Sequence, residues 1–205
     1  MINNMHETII PFEVDGHEMP AFLCTPDNLH ELAVGRLLSS GVIRAVSDVR
    51  SVTVDESGLH VRLLKEMRAP EKLEERISSC PRFGEVEVLP AAKVNEMLRA
   101  LLRFTGSFGT HRVAVMSPQG TEVFEDVARH NAADKAIGHA VIRGWDLART
   151  AILTSGRLSL EIALKCATAG IPTAATIKYC SDLAEQFAKD KGMRLLPYVG
   201  KEPTP

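Results

Sequence analysis

Apolar and polar residues alternate in four stretches of the first third of the chain, and each stretch predicts a strand. These stretches cover residues 9–14, 19–23, 49–54 and 59–64. Asp15-Gly16 separates the first two stretches, and Ser57-Gly58 separates the last two. Both dipeptides are typical of tight turns between antiparallel strands, so the pattern predicts two hairpins.

A helix is predicted between the two hairpins. Leucine and alanine recur there at helical spacing as far as Leu38, and Gly41 ends the run. Thr25 is predicted to be the N-cap, because Pro26 suits the first helical position. The second hairpin leads into residues 65–89, which are charged and interrupted by proline and glycine. They predict a long loop, of a kind that is usually functional or mobile.

Pro90 opens a further helix, and strands and helices alternate from residue 105 onwards. The predicted helices cover residues 90–104, 130–143, 158–169 and 181–192. The predicted strands cover residues 112–116, 121–127, 151–154, 172–177 and 194–199. This order predicts an α/β fold with much of its sheet parallel. We divide the chain into an N-terminal α+β portion, residues 1–89, and an α/β domain, residues 90–205.

Composition narrows the class of protein. The 205 residues carry a net charge of −2, which argues against a broad nucleic-acid surface. There is no apolar run long enough to cross a membrane, and the first residues do not resemble a secretory signal. The four cysteines are scattered without a CxxC pair, so a zinc knuckle is disfavoured and the thiols are expected to be reduced. We therefore expect a cytoplasmic protein.

The segment from Asp126 to Lys135 has the densest polar chemistry in the chain. Its sequence is DVARHNAADK, which combines acids, bases, an imidazole and a carboxamide directly after an apolar strand. A structural helix start needs only one capping side chain. We interpret this segment as the rim of a polar ligand pocket. The alternative is a solvated helix N-terminus that is capped by Asn131 or Asp126.

Two further segments lie at strand and helix junctions, where ligand sites of α/β sheets form. Ser155-Gly156-Arg157-Leu158-Ser159 follows a buried strand, and its backbone N–H groups with Arg157 would suit a phosphate. Ser155 could equally be a simple N-cap beside a solvated Arg157. Residues 105–111 form a small-residue turn, whose glycines suit either a close ligand or an ordinary turn. Neither segment matches a Walker loop or a dinucleotide fingerprint.

Two other chemistries are compatible with the sequence, a nucleophilic thiol and a metal site. Cys80 lies in the long loop beside Arg82, so an exposed thiol of lowered pKa could act as a nucleophile, or it could be an ordinary loop cysteine. A metal could be ligated by the set His111, Asp126, His130 and Asp134. The same residues suit a polar organic ligand, and we expect no metal.

These segments together resemble the FdhD/NarQ family of formate dehydrogenase accessory sulfurtransferases. The matching segments are Thr105-Gly106 with His111, the decapeptide at residues 126–135, residues 155–172, and an earlier match at residues 25–43. The resemblance covers roughly residues 11–196. It implies a three-layer α/β/α sandwich like that of the cytidine deaminases, although the deaminase PCxxC zinc pattern is absent from this chain.

The resemblance also implies a function. Members of the family carry sulfur as a cysteine persulfide, received from a cysteine desulfurase. They deliver it to the molybdenum bis(molybdopterin guanine dinucleotide) cofactor of formate dehydrogenase. They are cytoplasmic homodimers that bind the guanine-nucleotide end of that cofactor, so a GDP-like nucleotide can occupy the site. Cys80 would be the persulfide carrier, and Asp126 would orient His130 or Arg129. The implied cofactor-binding residues are Thr105, Gly106, His111, Asp126, Arg129, His130, Asn131, Asp134, Lys135, Ser155, Gly156, Arg157, Ser159, Tyr198 and Lys201.

The chain departs from the family pattern in three places. The usual CGxCG loop is Cys80-Pro81-Arg82-Phe83-Gly84, which has one cysteine instead of two. A single thiol can hold a persulfide but cannot resolve it internally as a disulfide. The C-terminal stretch keeps Tyr198 and Lys201 but lacks the usual arginine, and Ala128 replaces a common glycine. Two alternatives therefore stay open: a cofactor-binding chaperone without sulfur chemistry and, with less support, a nucleotide-processing enzyme.

Overall fold

The structure is a computed structural model that describes residues 6–201. Its strands are β1 (Thr8–Val14), β2 (His17–Cys24), β3 (Val49–Asp55), β4 (Gly58–Leu63), β5 (His111–Ser117), β6 (Gly120–Asp126), β7 (Ala151–Thr154), β8 (Thr173–Thr176) and β9 (Arg194–Leu196). Its helices are α1 (Leu29–Ser39), α2 (Leu73–Ser79), α3 (Ala91–Arg103), α4 (Arg129–Ile142), α5 (Leu160–Ala169) and α6 (Asp182–Lys191). Within this range, no helix is long and apolar enough to cross a membrane.

The first four strands form one sheet in the order β2-β1-β4-β3. Both predicted hairpins are confirmed, because β1 pairs with β2 and β3 pairs with β4 in antiparallel registers. Asp15 and Gly16 have positive φ angles of 50° and 83°, as the tight turn between β1 and β2 requires. The parallel pairing of β1 with β4 joins the hairpins into one sheet.

The remaining strands form a second sheet in the order β6-β5-β7-β8-β9. β5 is antiparallel to both of its neighbours, whereas β7, β8 and β9 are mutually parallel. Successive β5 residues face opposite sides. Val113 and Val115 belong to the main core, which includes residues of α4 and α5, while Ala114 and Met116 pack with Met97 of α3. Helices therefore cover both faces of the sheet, which confirms the predicted α/β fold class.

Helix α1 joins the two sheets. It packs between the N-terminal sheet and α4, and the main core contains buried residues from both halves of the chain. Gly35 of α1 and Gly138 of α4 make this contact possible, because a Cβ on either would overlap the backbone carbonyl of Asp134 or Glu31, respectively. The proposed boundary at residue 89 stays a prediction.

Several predicted boundaries were wrong. Helix α1 begins at Leu29, after Asn28 with a φ of 48°, and not at Thr25. The side chain of Thr25 instead accepts the Val127 N–H at 3.2 Å, which ties β2 to the start of α4. The long loop contains α2, which the sequence pattern missed. The last strand ends at Leu196 because Tyr198 has a φ of 56°, which does not continue a strand.

Candidate functional site

Strand directions bring most of the predicted site residues to one edge of the five-stranded sheet. β6, β7, β8 and β9 all end at this edge and β5 begins there, as their registers show. His111 pairs with Asp126, and Val113 pairs with Thr154. The loop before β5, the start of α4 and the segment after β7 are therefore neighbours. We call this edge, defined by residues 105–111, 126–130, 155–159 and 198–201, the carboxyl edge.

Two helices begin at the carboxyl edge and point their N-termini at it. Arg129 is the first residue of α4, and Ser159 is the N-cap of α5. The two segments touch at Gly156, where an added Cβ would lie 3.4 Å from His111 Nδ1 and 3.6 Å from Arg129 Cβ. Helix N-termini carry partial positive charge and free N–H groups. Converging helix N-termini beside arginine and histidine make this edge attractive to an anion.

Several polar atoms at this edge are buried without a partner. Arg129 Nε, His130 Nε2 and Ser159 Oγ have no hydrogen-bond partner among the described residues, and neither does Arg112 Nε on β5. A buried donor that lacks a partner costs about 1–3 kcal/mol. Three such atoms at adjacent helix starts are typical of a site that a ligand completes.

The histidines of the carboxyl edge are shifted toward the neutral form. Burial lowers the pKa of His111, and the charges of Arg129 and Arg157 lower it further. Burial likewise lowers the pKa of His130, with Arg129 and Lys165 adding to the effect. Nearby cations thus oppose protonation of both rings. An anion that binds between them would reverse that effect.

The loop before β5 is organised by a carboxylate. Glu125 accepts the Ser107 N–H at 2.9 Å and the Thr110 hydroxyl at 2.7 Å. A Cβ on Gly106 would overlap the Glu125 carboxylate, so the glycine is needed for packing against Glu125. Thr105 is exposed at the start of this loop. Gly106 therefore lies at the predicted edge, but a protein group explains its lack of a side chain.

Part of the decapeptide points away from the edge. Asp126 and Lys135 are 0% exposed and form an ion pair at 2.8 Å. Lys135 Nζ also donates to Asp27 Oδ1 at 2.6 Å and to the carbonyl oxygens of Thr25 and Glu125. All four interactions are with protein groups. Lys135 therefore fastens the end of β2 to the end of β6.

A second buried cluster joins α1, α4 and α5. Lys165 Nζ lies 2.7 Å from Asp134 Oδ1, and Arg36 Nε lies 2.8 Å from Asp134 Oδ2. The Ser39 hydroxyl donates to the same carboxylate at 2.8 Å. Burial alone would raise the pKa of Asp134, but Lys165 and Arg36 outweigh it and lower the pKa. Asn131 joins this cluster to the first one, since it accepts from Arg36 and donates to Asp126.

These contacts give part of the decapeptide a structural role. Asp126, Asn131, Asp134 and Lys135 are buried and bonded to protein groups, and their expected contact with a ligand stays a prediction. Asp126 bonds to the Ala128 N–H and to Asn131, not to His130 or Arg129. Sequence reasoning missed the residues that pair with this segment, which are Thr25, Asp27, Arg36, Ser39 and Lys165. The signal for Lys165 was a lysine on an otherwise apolar helix face.

The segment after β7 keeps its expected place. Ser155 Oγ accepts the Arg112 N–H at 2.8 Å, and the Gly156 N–H donates to Thr154 Oγ1 at 3.0 Å. These bonds fix the turn that leads into α5. Arg157 is exposed, so its guanidinium is available at the carboxyl edge. Ser155 is not the helix cap, because α5 begins after Ser159.

The C-terminal residues lie at the same edge, beside the end of β8. The Tyr198 N–H donates to the Lys178 carbonyl at 2.8 Å, and Lys201 Nζ lies 6.0 Å from the centre of the Tyr198 ring. The Val199 N–H donates to the Thr176 carbonyl at 3.0 Å, and Thr176 Oγ1 donates to the Gly156 carbonyl. The C-terminal residues therefore lie next to the segment that contacts Arg129 at the start of α4.

Cys80 does not lie at the carboxyl edge. Its side chain is 6% exposed, and its Sγ lies 3.4 Å from Thr168 Oγ1 on α5. Thr168 is nine residues beyond Ser159, which places it about 13 Å along the helix axis. Burial raises the pKa of Cys80, although Thr168, Lys191 and Arg76 act in the opposite direction. The expectation of an exposed thiol with a lowered pKa was wrong for this conformation.

The described residues contain no cluster of histidine, cysteine and acidic side chains that could hold a metal ion. Their cysteines are free, and burial raises the pKa of Cys166 to about 12 and the pKa of Cys180 to about 11.

Fold and site define a mixed α/β protein with a donor-rich carboxyl edge at two helix N-termini. The chain belongs to the FdhD/NarQ family, whose model matches residues 5–203. This confirms the family resemblance found in the sequence.

Individual relatives agree with this assignment. The chain is 27% identical to the sulfur carrier protein FdhD of Bacillus subtilis, over 97% of this chain and 84% of that protein. It is 32% identical to the sulfur carrier protein FdhD of Mycolicibacterium paratuberculosis, over 96% of this chain and 86% of that protein. A crystal structure of a protein from Desulfotalea psychrophila, assigned as a formate dehydrogenase accessory protein, matches with a TM-score of 0.84 and 25% identity. That match covers 98% of this chain and 85% of the other.

Proposed function

We propose that this protein is a sulfur carrier whose Cys80 accepts persulfide sulfur from a cysteine desulfurase. It would pass the sulfur to the molybdenum bis(molybdopterin guanine dinucleotide) cofactor that formate dehydrogenase requires. Family membership supports the sulfur chemistry. The observation that carries the binding half of the proposal is the set of buried, unpartnered donors at the starts of α4 and α5.

A phosphate is the chemical group that fits this edge best. Arg129 Nε, His130 Nε2 and Ser159 Oγ have no partner among the described residues, and each can donate to a phosphate oxygen. The exposed guanidinium of Arg157 can add a further charged contact at the rim. Free backbone N–H groups at two helix N-termini favour the same charge. The diphosphate of a guanine nucleotide would satisfy donors that the protein leaves unpaired.

The sulfur step needs only one reactive group from this chain. The Cys80 thiolate attacks the outer sulfur of the donor persulfide, a new S–S bond forms on Cys80, and the donor cysteine leaves as a thiolate. This first exchange consumes no oxidant or reductant. The outer sulfur then leaves Cys80 for the cofactor, the substrate of the transfer, and the Cys80 thiolate is regenerated. The two electrons that would bring this sulfur to the sulfide level would come from the acceptor cofactor or from an external thiol reductant.

Cys80 must leave its observed position for this exchange. Its carbonyl accepts from Lys191 Nζ at 2.8 Å, and the Phe83 N–H donates to the Lys191 carbonyl at 2.7 Å. These hydrogen bonds with the C-terminal end of α6 are partly exposed to solvent. We infer that the segment opens locally and that the observed state shields the thiol between transfers.

The test is mass spectrometry of the protein after incubation with a cysteine desulfurase and free cysteine. The proposal predicts added mass of one sulfur atom, located on Cys80 and removed by a reductant. Cys80→Ala should abolish the addition, whereas Cys180→Ala, which removes a half-buried thiol elsewhere, should not. Sulfur that persists in Cys80→Ala would exclude Cys80 as the carrier.

A second candidate function is a cofactor-binding chaperone without sulfur transfer. The burial of Cys80 and its raised pKa favour this candidate. Calorimetry with GDP, combined with the persulfide measurement, separates the two functions. Nucleotide binding without sulfur loading would support the chaperone.

The remaining parts of the proposal follow from the family. We propose a formate dehydrogenase or related molybdenum enzyme as the client, a homodimer as the working form, and the cytoplasm as the compartment. Molecular mass in solution, measured by light scattering, tests the homodimer.

A further inference from the structure

Arg76 on α2 reaches the same helix start that the anion site uses. Its Nη1 donates to Glu161 Oε1 at 2.9 Å, and Glu161 lies in the first turn of α5, two residues after Ser159. The Arg76 side chain is only 11% exposed. Its Nε and Nη2 atoms are buried without a hydrogen-bond partner in the described part of the chain. Arg76 therefore brings two unpaired donors to the N-terminal end of α5.

One carboxylate does not satisfy this guanidinium. Glu161 is 36% exposed and acts electrostatically on His130 as well as on Arg76. Arg76, Glu161 and His130 thus share one neighbourhood. A buried guanidinium is favourable only when its remaining N–H groups are also bonded. Two unpaired nitrogens of one planar group match the paired oxygens of a phosphate.

Arg76 is also bonded to the backbone of Cys80. Its carbonyl oxygen accepts the Cys80 N–H at 3.1 Å, at the C-terminal end of α2. Residues four apart lie on the same face of a helix. Accordingly, Arg76 contacts the first turn of α5 at Glu161, while Cys80 contacts Thr168 near its last turn. A group that holds Arg76 in place therefore also holds Cys80.

We propose that Arg76 is a phosphate-binding residue contributed by the thiol-bearing segment. Its unpaired Nε and Nη2 donate to a nucleotide phosphate at the starts of α4 and α5, and this contact clamps α2 against α5. The inference rests on the proposed function, because it uses the same anion site. Nucleotide binding and docking of Cys80 are then linked, and each stabilises the other.

GDP titrated into the whole protein by calorimetry tests the binding contact. Arg76→Gln should weaken GDP binding about tenfold or more, because it removes a charged, bidentate donor. Arg76→Lys keeps the charge but not the planar pair of donors, and it should show an intermediate loss. Arg82→Gln is the matched control: it removes an exposed arginine from the same segment and should bind GDP as the wild type does.

The alkylation rate of Cys80 by iodoacetamide, followed by mass spectrometry, tests the linkage. GDP should slow alkylation severalfold in the wild type and in Arg82→Gln but should have little effect in Arg76→Gln. An Arg76→Gln protein that binds GDP with wild-type affinity overturns the inference, even if its Cys80 reacts faster. Should Arg76→Gln fail to fold, wild-type affinity in Arg76→Lys overturns it equally. A wild-type protein that does not bind GDP overturns the proposed site itself.

Discussion

The two ends of the decapeptide at residues 126–135 differ in how their charges are compensated. At the start of α4, Arg129 and His130 have buried nitrogens without partners among the described residues. One turn later, Asp134 is shared by Lys165, Arg36 and Ser39. The protein supplies every counter-charge in one region and leaves donors unpaired in the other. The density of charged residues in the sequence does not separate residues that hold the fold together from residues that can bind a ligand. Their pairing in the structure does.

The difference follows from the geometry of α4. Asn131, Asp134, Lys135 and Gly138 recur at the spacing of one helix face, and that face packs on α1 and the end of β2. Arg129 and His130 belong to the first turn, which has no preceding turn to cover it. The charged scaffold thus positions the helix whose N-terminus forms the site.

The largest effect is expected from breaking the scaffold at Asp134. Asp134→Ala leaves Lys165 and Arg36 without their shared carboxylate in a buried place, which should cost about 3–5 kcal/mol of unfolding free energy. Urea denaturation measures it. Glu96→Ala is the matched control, because it breaks the exposed Lys93–Glu96 pair and should cost less than about 1 kcal/mol. Similar losses in both variants would refute the structural role of the cluster.

A side chain added at the contact between α1 and α4 should have the next largest effect on stability, and it leaves all charges in place. Gly138→Ala forces a Cβ into the Glu31 carbonyl, so α1 and α4 must separate, at a cost of about 3 kcal/mol. Thermal or urea unfolding records the change. Gly84→Ala, where the added Cβ meets no atom within 4 Å, should leave stability nearly unchanged. Equal stability of the two variants would contradict the close approach of α1 and α4.

At the start of α4, where donors lack partners, a substitution is expected to weaken ligand binding and to leave stability nearly unchanged. Arg129→Gln should weaken GDP binding about tenfold, the value of one charged hydrogen bond of about 1.5 kcal/mol, while stability changes little. Calorimetry gives the affinity and urea denaturation gives the stability. Arg143→Gln at the C-terminal end of α4 removes the same charge from an exposed position and should change neither. An Arg129→Gln protein that is unstable yet binds GDP normally would show that Arg129 belongs to the scaffold and not to the ligand site.

The smallest expected effect is a dependence of GDP affinity on pH. Burial, then Arg129 and Lys165, lower the pKa of His130 in the free protein. A phosphate beside the ring favours the protonated form, so the pKa rises on binding. Affinity therefore increases as pH falls through that raised pKa, and it levels off below the lowered pKa of the free protein. Between about pH 8 and about pH 6 the gain should stay below about tenfold. His130→Gln should lose the part of the pH dependence that His130 contributes and keep the titration of His111 and of the nucleotide. An unaltered profile in that variant would contradict the assignment.

Sequence patterns predicted much of the fold because hairpins and helix ends are local. Asp15-Gly16 and Gly41 each fix a turn through their own backbone preferences. The strand and helix order also predicted that the segments after β6 and β7 would meet at one edge. That expectation needed only the directions of the strands, which follow from the order of the elements.

Long-range pairing could not be predicted from the same pattern. Whether Lys135 binds a ligand or a protein group depends on Thr25 and Asp27, which lie more than one hundred residues earlier. The burial of Cys80 depends similarly on α5 and on Lys191. A clue was present in the helical spacing of Asn131, Asp134 and Lys135, because residues on one face share one environment.

A crystal structure with GDP bound tests the central claim most directly. We predict that phosphate oxygens lie within hydrogen-bonding distance of Arg129 and Ser159, with Asp134 still paired to Lys165. A diphosphate bound elsewhere, for example in the basic pocket near Arg44 and Lys65, would contradict it.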